Sequence, residues 1–390
     1  MGSLSEYQKL AQKKHEEEEE EEESYSHAMQ LAMGVVLPMA TQAAIQLGVF
    51  EIIAKAGELS APEIAAQLQA QNVKAPMMLD RMLRLLVSHR VLECSVSGGE
   101  RLYALNPVSK YFVSNKDGAS LGHFMALPLD KVFMESWYII ILSFFFFPLS
   151  GQIYIVVNLS NFKNACRLGL KDAVMEGGIP FNRVHGMHIF EYASGNPRFN
   201  ETYHEAMFNH STIAMERILE HYEGFQNVER LVDVGGGFGV TLSMITSKYP
   251  QIKAVNFDLP HVVQDAPSYA GVEHVGGNMF ESVPEGDAIL MKWILHCWDD
   301  DHCLRILKNC YKAVPGNGKV IVMNSIVPEI PEVSSAARET SLLDVLLMTR
   351  DGGGRERTKK EYTELAIAAG FKGINFASCV CNLYIMEFFK

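Results

Sequence analysis

The sequence predicts an α/β chain: a doubly wound parallel sheet over its C-terminal half, preceded by a smaller all-helical module with a winged hairpin. Three observations carry that expectation. From Val228 onward, short β-branched runs alternate with amphipathic helical stretches. A glycine-rich loop, "LVDVGGGFGV" at 231–240, follows the first of those runs. Before residue 110 the order reads helix, helix, hairpin, with a capped helix start and a glycine turn.

The totals set the frame. The chain has 390 residues, 48% apolar and 21% charged, and a net charge of -12, to which Glu16–Glu23 contributes eight carboxylates. Without that run the body is only mildly acidic, so no basic face is expected for nucleic acid. Residues 1–24 read as a disordered acidic tail, because eight like charges repel and bury nothing. The seven cysteines (94, 166, 297, 303, 310, 379 and 381) form no CxxC pair and no zinc spacing, so no metal is expected. Scattered free thiols and the lack of an apolar signal core point to the cytoplasm.

Residues 25–130 form the first expected domain. From Tyr25 to Ile53 apolar residues cover nearly the whole helical circumference, which calls for burial against a partner chain. Ser60-Ala-Pro-Glu63 has the capping-box form with Pro62 early in the helix, and "SGGE" at 97–100 supplies a hairpin turn. That arrangement is a winged helix-turn-helix. "MMLDRMLRLLVSHR" has three arginines but no basic stripe with Asn or Gln readers, which favours an interaction module over a DNA reader.

Residues 138–168 are an anomalous apolar insertion. Tyr138–Val157 are twenty uncharged residues, long enough to span a bilayer, yet Pro148 and Gly151 interrupt them and no basic flank precedes them. "FFFFPLS" is what a pyrimidine-rich tract encodes, and such tracts precede splice acceptors. The block therefore reads as translated intron rather than as a membrane anchor.

Residues 170–390 form the second domain. Runs at 230–235, 253–258, 272–277, 287–292 and 319–324 supply parallel strands, and two final strands close the sheet. Gly235, Gly237 and Gly239 give G-x-G-x-G, one residue tighter than the dinucleotide fingerprint, with Val240 in the sixth place. Asp258 ends the next strand, where a carboxylate accepts both hydroxyls of a ribose. The tighter spacing favours S-adenosylmethionine over a nicotinamide dinucleotide. Ligands of such sheets lie beyond the carboxyl ends of strands, which puts Asn278, Met279, Lys292 and His296 around the same pocket. His296, past a strand end and beside the loop, is the candidate base.

The stretches "LVDVGGGFG", "NFDLPHVVQDAPSYAGVEHVGGNMF", "MKWILHCWDDDHCLRILKNCYKA" and "GGGRERTKKEY" resemble plant S-adenosylmethionine-dependent small-molecule methyltransferases of the caffeic acid O-methyltransferase type. Within that family the chain is most similar to the anthranilate N-methyltransferases. The likeness runs from about residue 24 to the end, the apolar block excepted. It implies a Rossmann-like catalytic domain, an N-terminal winged-helix dimerisation domain and a homodimer. It implies cofactor contacts at Gly235, Asp258, Asn278, Met279 and Lys292, His296 as base and Glu356 as a flanking acid. It implies a substrate wall of Leu127, Leu129 to Phe133, Phe199, Tyr203, Met207, His210, Leu346 and Leu347.

Three departures from the family pattern bear on chemistry. Asn324 replaces the second flanking acid, Asn278 stands where an acid is usual, and Cys297 follows His296 in place of an aspartate. A phenol must lose its proton as it attacks, which a carboxylate-supported imidazole favours. An aromatic amine attacks through a neutral lone pair and sheds its proton afterwards. The departures lean toward nitrogen, with anthranilate as first acceptor and a phenylpropanoid or flavonoid hydroxyl as the alternative. A DNA-binding regulator and a catalytically inactive dimer partner are the readings from other classes.

Overall fold

The computed structural model describes residues 23–140, 144–149, 152–157 and 166–390, together with Lys13, Glu17, Glu20 and Glu21. Most of the expected acidic tail lies outside the described residues. The chain divides into two compact units, Met1–Asp117 and Gly118–Lys390. The expected boundary near residue 130 thus falls earlier. The reason is local: the Ser120 N–H donates to Asn209 Oδ1 at 2.8 Å, and Phe124 packs its ring against His210 and Trp293, all in the second unit.

In the first unit, helices Val36–Gln46, Val49–Ala56, Ala61–Gln67 and Ala75–Ser88 accompany β1 (Glu58–Ser60), β2 (Leu92–Ser97) and β3 (Glu100–Leu105). The strands form one antiparallel sheet in the order β1-β3-β2, the wing the sequence predicts. The capping box forms: the Ser60 N–H donates to the Glu63 carboxylate at 2.7 Å. Phe50, Ile53, Ile64, Leu83, Leu86 and Tyr103 are fully buried in its core. Arg101 forks onto Asp80 with two bonds of 2.8 Å, and the Tyr103 hydroxyl donates to the same carboxylate at 2.6 Å. These bonds pin the wing to the helix Ala75–Ser88 and occupy charge that a nucleic-acid reader would present. Tyr25, Leu31, Met33, Val35, Val36 and Met39 stay exposed. That apolar face is the one the sequence assigns to a partner chain.

The second unit is built on a seven-stranded sheet: β8 (Arg230–Val234), β9 (Lys253–Asp258), β10 (Val272–Gly276), β11 (Ala288–Lys292), β12 (Lys319–Asn324), β13 (Gly373–Val380) and β14 (Leu383–Phe389). The order is β10-β9-β8-β11-β12-β14-β13, with β8 to β12 parallel and β14 antiparallel to both neighbours. Alternate residues serve opposite faces, as a pleated strand requires. Val232, Ile289 and Val320 pack under helices Asp300–Ala313 and Lys359–Ala369. Leu231, Leu290 and Ile321 pack under Val240–Lys248 and the long helix Pro197–His221. Strand order switches between β8 and β11, with β9 and β10 laid down on one side of β8 and β11 and β12 on the other, which opens a crevice at the carboxyl ends of the strands.

The apolar block lies between helices Lys131–Trp137 and Gly169–Glu176. Its described backbone forms β4 (Tyr138–Ile140) paired with β7 (Cys166–Leu168), and β5 (Phe144–Leu149) paired with β6 (Gln152–Val157). The other residues of the block lie outside the described residues. Among the described residues no single helix is long and apolar enough to cross a membrane. Tyr138 pairs directly with Leu168, so the block leaves and re-enters the fold at one point. Paired Cα atoms sit about 4.5–5.5 Å apart, close to one residue's reach. Deleting residues 138–168 is therefore expected to preserve the fold and raise soluble yield and activity, read by gel filtration and a methyl-transfer assay. A deletion variant that precipitates while the full chain stays soluble and active would count against a foreign insertion.

Candidate active site

The glycine loop turns the chain from β8 into the helix Val240–Lys248. Gly235, Gly237 and Gly239 all have positive φ (72°, 57° and 83°), a backbone region that side chains disfavour. A Cβ at Gly235 would meet Ile294 at 2.3 Å, and one at Gly236 would meet Asn256 at 2.1 Å. The neighbouring strand β9 holds the loop: the Gly237 N–H donates to Asp258 Oδ2 at 2.8 Å, and Asn256 Nδ2 donates to the Gly237 carbonyl at 2.8 Å. The second Asp258 oxygen accepts the Leu259 N–H at 2.7 Å. Burial raises the Asp258 pKa, and those two N–H donors act against the rise.

A cavity of about 630 Å³ opens over this loop. Gly235, Asp258, Asn278, Met279 and Lys292 line it, and so do Tyr203 and Met207 of the expected substrate wall. The floor carries two buried charges. Burial pushes Asp233 up to about 7 and Lys292 down to about 8, with each partly stabilising the other's charge. Lys292 Nζ donates to Ser211 Oγ at 3.0 Å, lies 3.3 Å from His210 Nδ1, and stands 4.4 Å from the centre of the Trp293 ring. His204 stacks on Phe238 at 4.2 Å, and burial holds it down to about 4.

His296 sits on the short turn Leu295–Cys297 after β11. Its Nδ1 is 2.7 Å from Glu356 Oε1, with both side chains buried (2% and 0% exposed). Nδ1–H donates to the carboxylate, which fixes the tautomer and leaves Nε2 as the nitrogen with a free lone pair. Glu356 is placed by its own N–H, which donates to Asp344 Oδ1 at 2.8 Å. The glycines of "DGGGRERT" let this loop come close: a Cβ at Gly354 would lie 2.7 Å from the His296 carbonyl oxygen and 3.0 Å from the Cys297 carbonyl carbon. Arg357, fully buried, donates to the carbonyls of Leu295 and Trp298 at 2.7 Å each, and to Asp300 Oδ1 at 2.7 Å. It clamps the turn on both sides of His296.

Leu127, Phe133 and Phe199 are buried in one cluster, against which Tyr203, Met207 and Leu346 pack. Leu347 is fully buried, and Leu129 is half-buried outside that cluster. His210 stacks on Trp293 at 3.9 Å, beside Lys292. Asn324 is buried at the end of β12, and neither atom of its amide finds a partner among the described residues. It does not bond His296. Asn278 bonds locally, to Glu281 and to the Phe280 N–H.

Sequence reasoning missed Arg357, Asp300 and Trp293. The run "RERT" was the available signal for the first. Trp293 has a φ of 58°, rare for a bulky residue, and stacks 5.8 Å from His296.

Two outcomes follow from this geometry. Gly354→Ala forces the Glu356 loop away from His296; overpacking of this kind typically costs about 1–3 kcal/mol. Turnover is expected to fall at least about tenfold with a lower Tm, and an active, equally stable variant contradicts the close approach. Asp233 is protonated more readily folded than unfolded, so its contribution to stability declines as pH rises from about 4 to about 7 and is level above. The Tm of Asp233→Asn relative to the parent should climb across that window; a constant difference shows an ordinary carboxylate.

Comparison with known proteins agrees with this architecture. Residues 29–115 match the O-methyltransferase dimerisation domain and residues 168–372 the O-methyltransferase domain. The chain is 76% identical over 396 aligned positions to an anthranilate N-methyltransferase of Ruta graveolens, covering all of both chains. It is 49% identical to a caffeic acid 3-O-methyltransferase of Catharanthus roseus, covering 93% of this chain and 94% of that one. The crystal structure of human N-acetylserotonin methyltransferase shares the fold, with a TM-score of 0.72 at 21% identity over 94% of this chain and 97% of that one. With both domains matched and relatives covering nearly its full length, the chain belongs to the plant O-methyltransferase family, and it is a methyltransferase.

Proposed function

We propose that this chain methylates the amine of a small aromatic acid, anthranilate first, with S-adenosylmethionine as donor. Identity of 76% to the anthranilate N-methyltransferase across both full lengths carries the reading. The donor fits the residues present. Positive-φ glycines bring backbone against the cavity, and Asp258 at the end of β9 faces the same space. When bound, S-adenosylmethionine supplies a methyl group activated by its sulfonium. Gly235, Asp258, Asn278, Met279 and Lys292 are proposed to hold it.

The chain's own work is positioning and proton removal. The buried aromatic wall around Phe133 and Phe199 excludes water and orients a ring, with Tyr203 and Met207 joining wall to cavity. His296 collects the proton at Nε2, while Glu356 stabilises the imidazolium through Nδ1. Asn324 contributes no second carboxylate, which suits a nucleophile that attacks as a neutral lone pair. The intact His296–Glu356 pair also serves hydroxyl deprotonation, and this supports O-methylation as the second reading. The exposed apolar face of the N-terminal helices fits a homodimer, and the free described thiols fit the cytosol.

Assaying the purified protein with labelled donor against anthranilate and caffeate tests the function. Turnover of caffeate alone overturns the amine assignment. His296→Ala is expected to lower kcat by roughly 10²–10⁴-fold. Affinity for S-adenosylhomocysteine, read by calorimetry, should hardly change, because His296 does not line the cavity of the glycine loop. Near-normal turnover in that variant makes His296 a structural residue.

A further inference from the structure

Two adjacent charges beside the aromatic wall have no part in the chemistry above. Arg350 ends the helix Ser335–Arg350 and Asp351 follows it; their side chains are 7% and 0% exposed. Arg350 Nε donates to Asp351 Oδ2 at 2.9 Å, and the guanidinium lies 5.7 Å from the centre of the Phe133 ring. A guanidinium has five N–H donors. The other donors of Arg350 have no partner among the described residues.

Two polar atoms nearby are buried and unsatisfied: Asp351 Oδ1 and His188 Nε2. His188 Nδ1 accepts the Phe190 N–H at 3.4 Å, so the ring proton rests on Nε2 as a free donor. His188 lies flat against Trp298 at 5.5 Å, and both line the cavity. The Arg350 charge is felt at His188, Tyr203 and Cys297, all three on the cavity wall.

Asp351 balances the charge of Arg350 but leaves most of its hydrogen-bonding capacity unused. The Arg350 donors left unpaired are open to a ligand, and the buried donor at His188 Nε2 is unfavourable unless a ligand supplies its acceptor. A planar fork of N–H groups beside a second N–H, set in an aromatic wall, matches a ring carboxylate. We propose that Arg350 and His188 form the subsite that takes the carboxylate of the aromatic acceptor. This rests on the reading that the acceptor is an aromatic acid. It also accounts for Asp351: an arginine held in place before the acid arrives has less ordering to undergo on binding.

The test compares anthranilate with 2-aminobenzamide, which keeps the amine and replaces the carboxylate by a neutral amide. Arg350→Met alone leaves Asp351 buried and unpaired, so the double variant Arg350→Met with Asp351→Asn is made beside it. Binding of S-adenosylhomocysteine checks that each variant is folded. The double variant should raise KM for anthranilate by about 10²-fold, the usual scale for a charge-assisted hydrogen bond, with a far smaller change for 2-aminobenzamide. Arg350→Lys should recover part of the loss. His188→Phe, which keeps a ring against Trp298, should weaken the same preference. Equal losses for both substrates, or none for either, make the pair structural and overturn the proposal. If the parent does not methylate anthranilate, the functional reading fails by itself, and binding of benzoate against benzamide still reads the subsite. Parent preference for benzoate that the double variant loses supports it; equal binding overturns it.

Discussion

The site depends on one buried cation. Arg357 is fully enclosed, and its donors go to the carbonyls on either side of His296 and to Asp300. A buried guanidinium is tolerable only when its charge is paired and its donors are satisfied. Those conditions fix the turn after β11 relative to the loop before helix Lys359–Ala369. The neighbours of Arg357 reinforce the lock. Arg355 bridges Asp300 and Glu361, Glu356 faces His296, and the Thr358 N–H donates to Glu361 at 2.8 Å in a capping box. Four consecutive residues thus join a helix start, a clamp and the acid partner of the base. The 2.7 Å bond between His296 and Glu356 is a consequence of that clamp.

The cavity floor is organised by burial rather than by a tight ion pair. Asp233 and Lys292 are both driven toward their neutral forms, yet each supports the other's charge. Near neutral pH neither is far from its titration point, so a charged ligand can shift their protonation without a large penalty. A cation entering beside Asp233 and Asp258 favours both carboxylates. His210, driven well below its usual pKa by burial and then by Lys292, stays neutral and accepts from the lysine. These groups sit where β8 and β11 diverge, the position at which an open sheet admits ligands.

Features encoded within a few residues were legible in the sequence. The glycine loop, the strand-end carboxylate of Asp258, the capping box at Ser60 and the hairpin turn at 97–100 each follow from local backbone requirements. The strand runs were legible too, because helices cover both faces of the sheet and leave apolar runs. Features that join distant segments were not. Arg357 finds its partners about sixty residues away, and nothing in "RERT" distinguishes a buried clamp from a surface charge. Trp293 combines a positive φ with an N–H bond to the Met323 carbonyl on the neighbouring strand β12, a partner thirty residues away in the sequence. The boundary at 117 was masked likewise, since Ser120 is held by Asn209. The apolar block stands out by composition, and the pairing of Tyr138 with Leu168 lets it leave and re-enter the fold at one point.

The amide of Asn324 remains the sharpest chemical clue. It is fully buried at the end of β12 with neither oxygen nor nitrogen bonded among the described residues, an arrangement that costs roughly 1–3 kcal/mol per unsatisfied group. Packing alone would favour an apolar residue there. A carboxylate in its place would be a second negative charge near a buried pair already holding Glu356, and its own desolvation would push it toward protonation. Where a base must remove a proton during attack, that second charge is useful, because it stabilises the imidazolium as it forms. Where the nucleophile is a neutral aromatic amine, the proton leaves after the bond is made, and one carboxylate suffices. An amide then keeps a polar group at the position while removing the repulsion that a carboxylate would exert on an acidic substrate. The same logic applies across the site: Asp351 is paired with Arg350 and Asp300 with Arg357, which limits the negative charge near His296. A site whose negative charge is limited in this way can admit an anionic ring, and that constraint is as much a selector of the acceptor as the shape of the wall.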